Sequence, residues 1–165
     1  MQRMSTMEVR PLETADVELA WNINEQGLPG TGKVSLDELS DILSLCEYAI
    51  GAFESQQLLG FVLCLAPGTR YGSLNYGWFN ERYSEFLYVD RIAVGLTHRD
   101  RGIGSMLYNS VFLRAGVQNI PVVAEVNRTP PNPGSLRFHK RHGFEQVGEF
   151  HQDSKSVVML LRRSK

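Results

Sequence analysis

Residues 85–115 constrain the fold more than any other stretch of the chain. A run with strand character from Glu85 to Val94 leads through Gly95–Arg101 into a helix from Ile103 to Ala115. Within that helix Ile103, Leu107, Val111 and Ala115 recur every four residues. The turn reads Arg99-Asp100-Arg101-Gly102-Ile103-Gly104-Ser105. Gly102 and Gly104 carry no side chain to keep an anion from successive backbone N–H groups at a helix start, where the helix dipole adds positive potential. Arg99 and Arg101 can pair with phosphate oxygens directly. A strand that turns through such a loop into a helix is the mark of an α/β chain.

The flanking elements agree. A first strand covers Glu8 to Pro11. Thr14 is positioned to cap a helix with Val17, Ala20, Trp21 and Asn24 at helical spacing, and Ser35-Leu36-Asp37-Glu38 fits a capping box for a second helix with the stripe Leu36, Leu39, Leu43 and Cys46. Strands Tyr48–Glu54 and Leu58–Ala66 flank a short polar turn and read as a hairpin. Residues 67–84, rich in Gly, Asn and aromatics, read as a loop. After the helix stopped by Gly116 come a strand Pro121–Val126, a helix Pro133–His142 capped by Asn132, and two closing strands, Phe144–Gln152 and Lys155–Leu161. The expected fold is one domain over 1–165, a mixed, mostly antiparallel sheet with helices on both faces.

Charge divides along the chain. Residues 1–88 hold 5 basic and 12 acidic side chains, whereas residues 89–165 hold 12 basic and 6 acidic, although the net charge is only −1. That near-zero sum argues against a nucleic-acid or anionic-membrane binder. Cys46 and Cys64 read as free thiols of a reducing compartment, and the N-terminus lacks the apolar core of a signal peptide. The expected location is the cytoplasm. His98, His142 and His151 have no ligand-like spacing, so no metal is expected.

A second glycine segment, Gly27-Leu28-Pro29-Gly30-Thr31-Gly32-Lys33, matches the G-x-x-x-x-G-K of a nucleotide-binding P-loop. The position that should hold Mg²⁺ with a hydroxyl is Val34, and an amphipathic helix stands where a strand is required. The segment reads as a flexible connector, with ATPase chemistry the weakest of three alternatives.

Val94 followed after four residues by Arg99-Asp100-Arg101-Gly102-Ile103-Gly104 resembles the acyl-CoA motif R/Q-x-x-G-x-G/A of the GNAT (general N-acetyltransferase) superfamily. Asn132-Pro133-Gly134-Ser135-Leu136-Arg137-Phe138-His139-Lys140-Arg141-His142-Gly143-Phe144 resembles that family's N-x-x-S-x-x-F-Y-x-x-x-G-F helix. Gly60-Phe61 falls where the third strand often carries that pair. The resemblance spans nearly the whole chain and implies a GNAT-like fold with strands four and five splayed around the pantetheine arm of acetyl-CoA. It implies that the backbone of Ile92, Ala93 and Val94 bonds that arm. Arg99, Asp100, Arg101, Gly102, Ile103, Gly104 and Ser105 would hold the pyrophosphate, and Asn132 and Ser135 would lie near the arm. Asn132 serves equally as a plain helix cap.

Acetyl transfer to an amine needs a base for the amine proton and often an acid for the leaving thiolate. The resemblance places Glu125 where some members carry a catalytic glutamate; the alternative is a strand-face glutamate paired with an arginine. Asp90, on the same strand face as Ile92, is the second candidate, with Arg91 able to neutralise it. His139 replaces the usual tyrosine acid, or is an ordinary helix residue.

Residues 71–88 hold seven of the chain's sixteen Phe, Trp and Tyr residues. Tyr76, Trp78 and Phe79 are the expected acceptor-pocket wall, suited with nearby carboxylates to an ammonium or small aromatic amine, and Phe86 is expected in the core. The expected partner is a small-molecule amine or a peptide N-terminus, with a homodimer contact as another use of these rings. The competing reading from a different class is a non-catalytic acyl-CoA-binding module.

Overall fold

The computed structural model describes residues 6–164. Seven strands form one sheet in the order β1-β2-β3-β4-β5-β7-β6. They are β1 Met7–Pro11, β2 Tyr48–Glu54, β3 Gln57–Leu65, β4 Leu87–Val94, β5 Val122–Thr129, β6 Glu145–Gln152 and β7 Lys155–Arg162. The helices are α1 Val17–Gln26, α2 Leu36–Leu45, α3 Leu74–Arg82, α4 Ile103–Gln118 and α5 Pro133–Arg141. The sheet is mostly antiparallel, as expected, with β4 and β5 parallel.

The β4–β5 ladder is short. Its register covers only Leu87 with Val122 and Tyr88 with Val123, although the strands run on to Val94 and Thr129.

The chain folds as two compact units. One runs through Cys64 and includes Arg91–Ser110; the other comprises Leu65–Asp90 and the chain from Val111 onward. In the first, Ile50, Ala52, Phe53, Leu59, Phe61 and Val62 of the β2–β3 hairpin are buried, as are Leu39 and Ile42 of α2. Ser55 and Gln56 both take positive φ, 49° and 68°, and make the two-residue turn whose twist suits a hairpin. Gly60 allows a close approach. A Cβ there would lie 2.9 Å from the Ala93 carbonyl and 3.1 Å from Ile103 Cγ2, so β3, the end of β4 and the start of α4 meet where only hydrogen fits. In the second unit the core holds Tyr76, Phe79, Phe86, Tyr88, Val123 and Met159.

Several sequence expectations need correction. Residues 67–84 contain α3, capped by Ser73, whose Oγ accepts from Tyr76 N. Glycine, asparagine and aromatics score poorly for helix, but three buried rings on one segment outweigh that weak propensity. Gly116 does not end α4; the helix runs on to Gln118, and Asn119, with φ 54°, is the left-handed residue beyond it. A 3-10 turn precedes α1, and its capping box joins Glu13 to Asp16 instead of using Thr14. Leu36 is exposed, because it is the first residue of α2 and stands beside the cap.

Candidate active site

In the first unit, the segment from β4 to α4 carries the residues expected to hold the cofactor. Along β4, Asp90, Ile92 and Val94 are half-buried while Arg91 and Ala93 are buried, so the strand presents one accessible face. The turn that follows bends through two left-handed residues, Asp100 with φ 64° and Gly102 with φ 77°. A Cβ on Gly102 would meet nothing within 4 Å, and α4 begins at the next residue. The first turn of a helix leaves backbone N–H groups without intrahelical partners. Here they open beside a glycine with free space, a cradle that fits a phosphate.

The two arginines of the turn differ. Arg99 is exposed. Arg101, expected to pair with phosphate, is exposed as well and donates to Glu54 Oε2 at 3.1 Å and His98 Nδ1 at 3.2 Å, which ties the turn to the end of β2. Gly104 and Ser105 lie half-buried in the first turn of α4.

The P-loop-like segment lies in the same unit and follows α1, a helix, with α2 starting only after the Ser35 cap. It is not a loose connector. Arg91 donates to Gly32 O at 3.0 Å and Asn24 Oδ1 at 3.1 Å, Asn24 Nδ2 also donates to Gly32 O, and Trp21 Nε1 donates to Val34 O. Arg91 thus fastens this segment.

The second unit holds the candidate chemistry. Tyr88, Asp90, Val123 and Glu125 share one sheet face, because Tyr88 pairs with Val123 and alternate residues point the same way. Tyr88 Oη donates to Glu125 Oε1 at 2.8 Å and Asn75 Nδ2 donates to the same oxygen at 3.2 Å. Tyr71 Oη donates to Asp90 Oδ1 at 2.7 Å. Burial first, then the charges of Glu125 and Asp90, hold the Tyr88 hydroxyl well above its ordinary pKa, so it stays a neutral donor to Glu125. Each candidate base therefore receives a phenolic hydrogen bond. Asn75 was not anticipated, since its segment read as a loop.

The three rings expected on a pocket wall lie inside. Tyr76 is 1% exposed and Phe79 fully buried, packed against Tyr88 at ring distances of 5.2 and 5.9 Å. Trp78 packs on Gly148 of β6, where a Cβ would lie only 2.6 Å from Cζ2. On α3 such rings gain more from burial than from an open cleft. Phe86 is buried, as expected.

In α5, Asn132 is the cap, its Oδ1 accepting from Ser135 N at 3.3 Å. His139 is buried between Phe138 and Phe144. Its Nδ1 lies 2.8 Å from Ser135 O, a partner that can only accept, which assigns the ring proton to Nδ1. Burial lowers the ring's pKa against the opposing Ser135 bond. A neutral imidazole with its proton committed to a carbonyl has none on Nε2 for a thiolate, so the acid role suggested by its place in the motif gives way to a packing role. Among the described residues no group of three His, Cys, Asp or Glu is placed to hold a metal ion, and no helix is long and apolar enough to cross a membrane.

A profile of the acetyltransferase (GNAT) family matches residues 18–144. No curated protein matches the chain in sequence. Solved structures do match in fold. Ard1 from Thermoplasma volcanium is 18% identical with a TM-score of 0.77, over 96% of this chain and 98% of that one. Arabidopsis thaliana NAA60, in complex with a bisubstrate analogue, is 19% identical with a TM-score of 0.77 over the same shares. Salmonella typhimurium yncA, with its cofactor acetyl-CoA, is 15% identical with a TM-score of 0.73, over 98% of this chain and 95% of that one.

Proposed function

Because the chain belongs to the acetyltransferase (GNAT) family, we propose that it transfers an acetyl group from acetyl-CoA to a primary amine of a small molecule or a peptide N-terminus. The amine attacks directly, with no acyl-enzyme. Bound acetyl-CoA supplies an activated thioester; the remaining work belongs to the chain. The turn from Arg99 to Ser105 holds the pyrophosphate through backbone N–H groups beside Gly102, with Arg99 as the exposed cation and Arg101 as the tether of the turn. The backbone of Ile92, Ala93 and Val94 bonds the pantetheine amides in the manner of an added strand. Asn132, the cap of α5, and Ser135, whose N–H it accepts, are the α5 residues assigned to the arm.

Glu125 takes the proton that the amine sheds as the N–C bond forms and the C–S bond breaks, and the thiolate departs. The observation that carries this reading is the pair of hydrogen bonds from Tyr88 and Asn75 onto one Glu125 oxygen, which orient a half-buried carboxylate and favour its charged, proton-accepting form. Asp90, held by Tyr71, adds negative charge on the same sheet face and suits a cationic acceptor. Tyr76, Trp78 and Phe79 set the wall from behind. Residues 1–165 act as one domain in the cytoplasm, without a metal.

Acetyl-CoA consumption across an amine library tests this. Turnover on at least one amine is expected, and Glu125→Gln should lower kcat by about 10²–10⁴-fold, the usual range for a lost general base, with little change in acetyl-CoA affinity. Unchanged rates in that variant would move the base to Asp90 or to water. Binding of acetyl-CoA with no turnover on any amine would favour the non-catalytic module.

A further inference from the structure

Glu125 sits at the end of a chain of side-chain amides. Gln152 Nε2 donates to Asn75 Oδ1 at 3.2 Å, and Asn75 Nδ2 donates to Glu125 Oε1 at 3.2 Å. Asn75 is the second residue of α3, and Gln152 is the last residue of β6, paired with Lys155 across the hairpin turn. We propose that Asn75 and Gln152 are positioning residues for Glu125, an amide relay that orients the carboxylate and favours its ionised form. The proposal rests on the reading of Glu125 as the base.

Chemistry gives the relay a direction. An ionised carboxylate only accepts, so Asn75 must turn its NH₂ toward Glu125; its carbonyl oxygen then faces Gln152, which must present its own NH₂. Each amide is thereby held in one of its two flips. Asn75 and Tyr88 converge on the same oxygen from different elements, which fixes the carboxylate plane. The seat of α3 on β6 supports the spacing: Trp78 packs where Gly148 has no Cβ, and any larger residue there would displace the ring. A donor on the ionised form lowers a carboxyl's proton affinity, while half-burial raises it. The relay counters the cost of burial. Among the titratable groups around Glu125, Tyr88 of β4 bonds it directly, Asp90 of β4 and Tyr71 act on the same Tyr88 hydroxyl, and the β7 register partner Met159 is not titratable.

The test reads the Glu125 carboxyl carbon by ¹³C NMR in the full chain, beside the pH profile of kcat/KM. Wild type is compared with Asn75→Leu, Asn75→Asp and Gln152→Leu. The titration midpoint should rise by about one pH unit in Asn75→Leu, further in Asn75→Asp, where a second carboxylate stands alongside, and less in Gln152→Leu. The acid limb of the profile should move with it while acetyl-CoA affinity holds. Unchanged midpoints in folded variants would overturn the relay. Midpoints that rise while the acid limb stays put would leave the relay standing and overturn Glu125 as base. Should Asn75→Leu fail to fold, Gln152→Leu carries the test, since it removes only the outer link at a strand end.

Discussion

His139 shows how the environment decides what a residue can do. Its place in the motif suggests a proton donor, but burial between two phenylalanines favours the neutral ring, against the opposing pull of the Ser135 carbonyl. The pH dependence follows with a definite sign. The folded ring binds its proton less readily than the ordinary value of 6.5. Below that value the unfolded chain takes up the proton first, so this contribution to stability is complete above about pH 6.5 and is lost as acid is added. His139→Phe has no such loss. Its Tm relative to wild type should therefore climb as pH falls from about 7 to about 5, as thermal melts can measure; a difference that stays flat would mean the ring titrates normally in the fold. Arg101 likewise gains partners that its sequence position did not announce, since Glu54 and His98 engage its guanidinium.

Among the elements, α3 matters most, because it brings Asn75 to Glu125 and Trp78 onto β6. It is only nine residues long, too short to hold itself without caps and packing. Its cap is the single bond from Tyr76 N to Ser73 Oγ. Ser73→Ala should cost about 1 kcal/mol of stability, the usual value of a lost N-cap. It should also lower kcat/KM on the accepted amine, since Asn75 sits within the first turn beside the cap, while acetyl-CoA affinity is unchanged. Calorimetry and steady-state kinetics read the two effects; a stability loss with no kinetic change would separate α3 from Glu125. By contrast, Ser35 forms a full capping box with Glu38, and that signature makes α2 readable from its sequence alone.

At the scale of the molecule, the division of charge has a physical reading. Arg99 and Arg101 of the turn, and Arg137, Lys140 and Arg141 on or at the end of α5, belong to the basic part of the chain, which the proposed function assigns to a polyanionic cofactor. Two glycine segments compete for that role, and substitutions separate them. Gly102→Asp adds a negative charge and strains a residue with φ 77°, and should weaken acetyl-CoA binding at least about tenfold by calorimetric titration. Lys33→Ala, at an exposed site, should leave that affinity as it is; the opposite pattern would restore the P-loop reading. By itself the amino-acid sequence determined the α/β class, the order of the elements other than α3, and the glycine turn at the start of α4. These depend on local signals: periodicity, caps, and glycines beside a helix start. Only the tertiary structure decided which side chains meet around Glu125. Asn75 on α3, Tyr88 and Asp90 on β4, Glu125 on β5 and Gln152 on β6 are brought together from four elements, and nothing local in 71–75 or 152 marks a partner on β5. The burial that holds His139 neutral and the bond that ties Arg101 to Glu54 likewise arise from contacts between residues far apart along the chain or from the packing around them, which no local pattern encodes.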